Sequence, residues 1–348
     1  MTTAAETRSH AAQLTRDTLI EMYRVMVRSR RVDERAWALH RQGKIAFHIS
    51  AIGHEACQVA AAYAIQRGVD YVFPYYRDLT LALALGSSPL DFLLGAFGKA
   101  TDPYSGGRQM PSHFSSRALN IISGSSSVAT QIPHAAGAAF AIKYRIQRGL
   151  QSPDDATQPR LALTCIGEGS TSQGEWYEAM NWAGVHRLPF ICLVQNNHYA
   201  ISVPYDQQSA LPNVADRAPM FGIPGVVFDG NDVLASYDAM REAVERAYRG
   251  EGATLVEAKT YRPVPHSSDD DDRSYRSREE VEAWKKKDPI LRFGTLLMER
   301  GLLRQDDLSA IDAQARAEVD AALRDTLAAP DPAPEDALGA VYAPEDTP

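Results

Sequence analysis

Cysteine is scarce in this sequence: Cys57, Cys165 and Cys192 are the only three in 348 residues, and no CxxC pair occurs. That excludes a disulfide framework and the usual zinc spacings. Clustered cations are lacking too. Lys and Arg number 36 against 44 Asp and Glu, for a formal net charge of −8. Nucleic-acid binding draws its affinity from clustered cations on phosphates, and anionic membranes attract basic segments, so neither partner is expected. No long apolar run is present. The most apolar region, Leu79 to Gly98, is broken by Pro89 and Asp91 and does not make a membrane span. The N-terminus has no charged-then-apolar secretory pattern and few arginines, so a cytoplasmic, reducing location is expected. Two nucleotide signatures are also missing. G-x-x-x-x-G-K-[ST] does not occur, and the nearest approach to G-x-G-x-x-G lies mid-chain with Ser172 at the third glycine. A phosphoryl transferase and a dinucleotide oxidoreductase are therefore not supported.

What is there is an ordinary globular composition, 45% apolar and 23% charged, over more than one typical domain length. The informative stretch runs from Leu161 to Pro204. Leu161 to Ile166 is a short, nearly all-apolar run that stops at Gly167; Phe190 to Val194 is a second, stopping at Asn196-Asn197. Runs of this length bounded by turn residues predict strands buried on both faces, with Cys165 and Cys192 as buried hydrophobes inside them. Between them, Thr171 to His186 carries Trp176, Met180, Ala183 and Gly184 at helical spacing. Strand, helix, strand makes a right-handed βαβ unit with parallel strands. Ligands of open parallel sheets sit beyond the carboxyl ends of the strands, so Glu168 and Asn197 are predicted to share one rim. A carboxylate, an amide oxygen and a backbone carbonyl, here assigned to Tyr199, are hard ligands suited to Mg²⁺. The Gly169 and Ser170 amides, predicted to open the helix, favour a phosphate.

Gly167-Glu168-Gly169 followed by Asn196-Asn197 resembles the thiamine-diphosphate motif G-D/E-G…N-N. The fuller wording, GEGSTSQGEWYEAMNWA and NNHYAIS, is similar to the alpha subunit of the thiamine-dependent decarboxylating component of 2-oxo acid dehydrogenase complexes. Either half alone is a common turn; both on consecutive strands make a specific signal. The resemblance spans most of the chain. It implies an α/β fold: a doubly wound, mostly parallel sheet of the thiamine-diphosphate-binding type, with an N-terminal helix and a C-terminal helical extension.

The same resemblance implies site roles. Tyr76 and Arg77 would grip the cofactor diphosphate, arginine through bidentate bonding. Val128 would offer its backbone to the aminopyrimidine, with Ser126 beside it. Gly167, Glu168, Gly169, Ser170, Gln195 and Asn197 would complete the cofactor site, and Glu168, Asn197 and Tyr199 would hold Mg²⁺. Ser125, Thr130 and Gln131 map to a potassium site, although the family usually has proline where Ser127 stands. Many branched-chain relatives have arginine where Gln195 stands. His266 matches the family's active-site histidine near the diphosphate, and Ser267 stands where animal relatives carry a regulatory phosphoserine. The four aspartates from Asp269 to Asp272 read by composition as a solvated loop; the resemblance folds them over the cofactor instead. His113 reads equally as a surface histidine or a substrate contact.

The implied activity is oxidative decarboxylation of a 2-oxo acid on thiamine diphosphate, with acyl transfer to the lipoyl domain of a dihydrolipoyl acyltransferase. Glu168, and His266-Ser267-Ser268 followed by the acidic run and Tyr275-Arg276, look most like the branched-chain class. Pyruvate or acetoin is the alternative substrate. A non-catalytic scaffold subunit is the alternative of a different class, but it would have no need to keep Glu168, Asn197 and Arg77 together. In two-chain members the glutamate that works on the aminopyrimidine comes from a beta subunit. This chain is thus expected to be inactive alone and to form an α₂β₂ heterotetramer.

The chain is expected to divide into a mobile tail (1–15), the cofactor-binding α/β domain (16–278), and C-terminal helices with a partner-docking tail (279–348). Helices are predicted from Arg16 to Arg41, from Gly53 through Ile65, from His134 to Arg145 and from Val233 to Arg249. Strands are predicted at Val226–Phe228 and Thr254–Thr260. Residues 151–160 read as a polar loop, and the helices after Glu279 break near Asp288-Pro289 and Gly301.

Overall fold

The computed structural model describes residues 9–150 and 158–339. Most of the two expected tails and of the polar loop at 151–160 lies outside the described residues. Residues 9–15 differ from a mobile tail. Ser9 Oγ and Ala11 N both donate to the Asp238 carboxylate at 2.6 Å, and Ala11 is buried. One carboxylate satisfying two donors is enough to seat the segment.

Helix α1 (Arg16–Arg41) has its N-cap Thr15 accepting from Thr18 N. The buried stripe includes Leu19, Met22, Tyr23, Met26 and Val27, as its apolar spacing requires. Next come α2 (Glu55–Ala64), β1 (Tyr71–Phe73), α3 (Leu79–Leu85) and α4 (Pro89–Phe97). The region broken by Pro89 thus forms two short helices. Proline begins α4, where its missing N–H costs nothing, and Ser88 and Asp91 close a capping box around it.

Then follow α5 (Gln131–Gln147), β2 (Ala162–Gly167), α6 (Gly174–Val185) and β3 (Phe190–Asn196). A small hairpin, β4 (Tyr199–Ala200) with β5 (Val203–Pro204), leads to β6 (Gly225–Asp229), α7 (Val233–Tyr248) and β7 (Thr254–Lys259). Then come α8 (Arg278–Lys285), α9 (Pro289–Glu299) and α10 (Gln305–Ala328). Asp288 caps α9 by accepting from Ile290 N and Leu291 N, which explains the break at Asp288-Pro289.

The main sheet has strand order β1-β2-β3-β7-β6, and every pair in it is parallel. Alternate residues feed two cores. Leu163, Cys165, Ile191, Leu193 and Val256 face the side packed by α1, α2, α7 and α10. Ala162, Ile166, Phe190, Cys192 and Val194 face α5 and α6. Helices on both faces make the sheet doubly wound. The C-terminal helices share the first core through Phe293, Leu297, Ile311, Ala315 and Val319, so they are continuous with the sheet rather than separate from it. Arg28 of α1 pairs with Glu318 of α10 at 2.7 Å along the same contact.

Candidate active site

The last paired positions of β2 and β3 are Gly167 and Gln195, so Glu168 and Asn197 leave the sheet side by side. Glu168 does not lead straight into a helix. A 3₁₀ turn, Glu168–Ser172, comes first, and α6 begins at Gly174. Thr171 Oγ1 donates to the Glu168 carbonyl at 2.7 Å and fills the place of an α-helical partner. The Gly169 and Ser170 amides therefore sit in this tight turn, not in the first turn of α6. Gly169 cannot carry a side chain, since a Cβ there would lie 2.6 Å from Ala200 Cβ on the β4 hairpin.

Glu168 is only 2% exposed. Its Oε2 accepts from Asn197 N at 3.1 Å, while Oε1 has no partner among the described residues. Burial pushes its pKa up; the Asn197 amide and the charges of Arg262 and Arg77 oppose this. Asn197 Oδ1 accepts from Tyr199 N at 3.3 Å. The Tyr199 hydroxyl donates to Glu280 at 2.9 Å, so its side chain is engaged elsewhere and only its backbone carbonyl is left for a cation. An unmatched buried carboxylate oxygen next to an amide oxygen fits a small hard cation that keeps several waters. Among the described residues no group of three or more His, Cys, Asp or Glu gathers as a metal site, here or elsewhere.

The opposite side of the pocket is cationic. Arg77 is 1% exposed; its Nη1 donates to the Ser50 carbonyl and its Nη2 lies 3.5 Å from His266 Nδ1. The guanidinium sits 5.5 Å from the centre of the Tyr76 ring. Arg262, fully buried, reaches the same His266 Nδ1 at 3.1 Å. Guanidinium groups only donate, so Nδ1 holds the lone pair and the ring proton is on Nε2. Burial, then the charges of Arg77 and Arg262, lower the His266 pKa to about 3. The imidazole is therefore a neutral N–H donor. Burial and Arg77 likewise bring Arg262 down to about 10. Arg262 Nη2 also donates to the Ile201 carbonyl at 2.8 Å, holding a β-branched residue whose φ is +55°.

The acidic run is folded, not merely solvated. Asp270 accepts from His266 N at 2.7 Å and from the Tyr275 hydroxyl. Asp272 pairs with buried Arg276, whose Nη2 also donates to the Val264 carbonyl at 2.7 Å. Charge pairing within the loop overrides the compositional reading.

These residues enclose a pocket of about 420 Å³. Tyr76, Arg77, Ser126, Val128, Gly167, Glu168, Gly169, Ser170, Asn197, Tyr199 and His266, all singled out from the sequence, are on its wall. His113 is there too, its Nε2 3.0 Å from Ser126 Oγ. Gln195 is not. It lies on the α2 side of β3, donates to Asp78 Oδ1 at 2.6 Å and accepts from Gln58 Nε2 at 2.8 Å. The pleat of β3 turns it away from the cofactor side, so it braces the turn bearing Tyr76 and Arg77 from behind. The three residues mapped to potassium have protein partners: Thr130 Oγ1 donates to the Ser127 carbonyl at 2.9 Å, Ser125 Oγ accepts from Ser127 N at 3.1 Å, and Gln131 Nε2 donates to the Cys165 carbonyl on β2 at 3.0 Å.

Sequence reasoning missed Arg262, Phe47, Ile49 and His54. Arg262 had a usable signal, since it follows the carboxyl end of β7 on the same rim. Phe47 and Ile49 line the pocket from the segment between α1 and α2, which carries no motif.

Residues 23–335 match the dehydrogenase E1 component family. The chain belongs to that family. It is 49% identical over 336 residues to the 2-oxoisovalerate dehydrogenase subunit alpha of Bacillus subtilis, covering 97% of this chain and 98% of that one. It is 37% identical over 313 residues to the pyruvate dehydrogenase E1 component subunit alpha of Staphylococcus aureus, covering 90% of this chain and 79% of that one. The same subunit of Staphylococcus epidermidis is 36% identical over 313 residues. Within the E1 family, then, this chain is more similar to the 2-oxoisovalerate subunit than to these two pyruvate subunits.

Proposed function

We propose that this chain is the alpha subunit of an E1 component that oxidatively decarboxylates branched-chain 2-oxo acids. It would work with a beta subunit, as an α₂β₂ heterotetramer in the cytoplasm, and pass the acyl group to the lipoyl domain of a dihydrolipoyl acyltransferase. The observation that carries the reading is the convergence of Glu168 and Asn197 on one wall of a pocket whose other wall is Arg77 and His266. Glu168, Asn197 and the Tyr199 carbonyl would hold Mg²⁺. Arg77, the His266 Nε2–H and the Gly169-Ser170 turn would hold the diphosphate of thiamine diphosphate, with Val128 toward its aminopyrimidine.

When bound, the cofactor supplies the carbanion chemistry; the protein supplies placement and electrostatics. A diphosphate carries roughly three negative charges. Mg²⁺ offsets two, and Arg77 with Arg262 behind His266 offsets the rest and the Glu168 charge. Glu168 is the single acidic side chain on the wall formed by the described residues, and it is committed to the cation. The described residues thus leave no second carboxyl group for the aminopyrimidine, which supports the need for a beta subunit. Phe47, Ile49, Met110 and Ile201 give the pocket an apolar side suited to a branched aliphatic chain.

A decarboxylation panel on the complex tests this. One methylene in an apolar pocket is worth about 10–200-fold. The branched-chain 2-oxo acids are therefore expected to exceed pyruvate in kcat/KM by at least about tenfold, with no turnover by the purified chain alone. Preference for pyruvate, or robust turnover without the beta subunit, would overturn the proposal.

A further inference from the structure

Helix α2 starts beneath the cation side of the pocket, with His54 at its N-cap and completely buried. His54 Nε2 lies 3.3 Å from Asn197 Nδ2. An amide NH₂ can only donate, so Nε2 accepts, and the ring carries its proton on Nδ1, which has no hydrogen-bond partner among the described residues. At its other end the Asn197 amide accepts from Tyr199 N through Oδ1. The Tyr199 N–H selects this amide orientation, since flipped by 180° the NH₂ would meet it donor to donor, and the His54 ring matches the selected orientation by offering Nε2 as acceptor. In the selected orientation Oδ1 keeps its second lone pair free on the pocket wall.

We propose that His54 is a positioning residue: by accepting from Nδ2 it holds Asn197 with Oδ1, rather than the NH₂, presented to the cation. This rests on the reading of Asn197 as a cation ligand. It gives a use to a buried imidazole that the diphosphate site does not touch. Among the described residues, the Asn197 amide is the one side-chain hydrogen-bond partner of the His54 ring. Without an acceptor at position 54, the Tyr199 N contact, equal in length at 3.3 Å, is left to orient the amide alone. Partners that orient metal ligands in this way are generally worth about 10–100-fold in metal affinity.

The test uses the complex reconstituted with its beta subunit and thiamine diphosphate, with Mn²⁺ titrated by electron paramagnetic resonance. His54→Leu and His54→Phe remove the acceptor and are expected to weaken Mn²⁺ at least about tenfold. His54→Gln, whose Oε1 can still accept, is expected to recover most of that loss. The KM for the 2-oxo acid at saturating Mn²⁺ stays at the wild-type value throughout, and thermal melting of the metal-free complex reports that each variant is folded. Unchanged Mn²⁺ affinity in the Leu and Phe variants, or an equal loss in the Gln variant, overturns the inference. A Glu168→Gln arm separates the two levels. If that variant also binds Mn²⁺ normally, the cation site itself is misread. If it loses Mn²⁺ while His54→Leu does not, only the role of His54 fails.

Discussion

Replacing Glu168 by glutamine should move stability and cofactor affinity in opposite directions. The carboxylate is buried, one oxygen is matched by Asn197 N and the other by nothing. A buried acceptor without a partner costs about 1–3 kcal/mol, more when charged. Glutamine keeps an acceptor for Asn197 N–H and removes the charge. The cation-free complex should therefore lose nothing and gain about 1 kcal/mol, a rise of roughly 1–2 °C in melting temperature for 348 residues. The loaded complex should behave otherwise. Losing a charged ligand forfeits about 1.5–3 kcal/mol by analogy with hydrogen bonds to charged groups, and each 1.4 kcal/mol is tenfold in affinity. Calorimetric titration of Mg²⁺ with thiamine diphosphate, beside thermal melts without them, measures both. A Kd within a factor of two of wild type would refute the ligand assignment. A lower melting temperature in the cation-free variant would show that the carboxylate is structurally satisfied, contrary to its unpaired oxygen.

Two other outcomes are expected. Burial raises the Asp78 pKa from 3.8 to about 7, so its contribution to stability is fully present below pH 3.8 and is lost as pH rises through 7. The unfolding free energy of wild type relative to Asp78→Asn should accordingly fall across that window in denaturant titrations, and a flat or rising difference would contradict it. Gly184 lies where α6 meets the Phe221 carbonyl, and an added Cβ would be 2.0 Å from that oxygen. Gly184→Ala should cost about 1–3 kcal/mol through forced backbone movement, read as a lower melting temperature. Unchanged stability would mean the approach is looser than it stands here.

Much of the architecture was legible because the strands announce themselves by solid apolar runs and the helices by stripes with clean caps. α1 falls at Arg16–Arg41 as read, and α7 is one residue shorter than read. β1 was not read as a strand, since three residues are too few to show a pattern. α3 and α4 were hidden inside one apolar region whose only visible feature was its breaks. Glu168 and Asn197 could be singled out because they stand at strand ends, whereas His266 lies in the loop beyond β7 and was reached through the resemblance. The motif failed at Gln195 because it places a residue near a cofactor without saying which way the pleat turns it. His54 escaped for a related reason: its partner Asn197 lies 143 residues away, and Arg262 was passed over although it follows the carboxyl end of β7.

The folded acidic loop bears on how an anion reaches the pocket. Counted along the chain, Asp269 to Asp272 should repel a negatively charged reactant from the side of the pocket that His266 lines. Asp271 and Asp272 are instead neutralised on the spot by Arg273 and Arg276. The field that an approaching 2-oxo acid senses there is consequently far less forbidding than the formal count of −8 suggests. Capture of the substrate should depend only mildly on added salt.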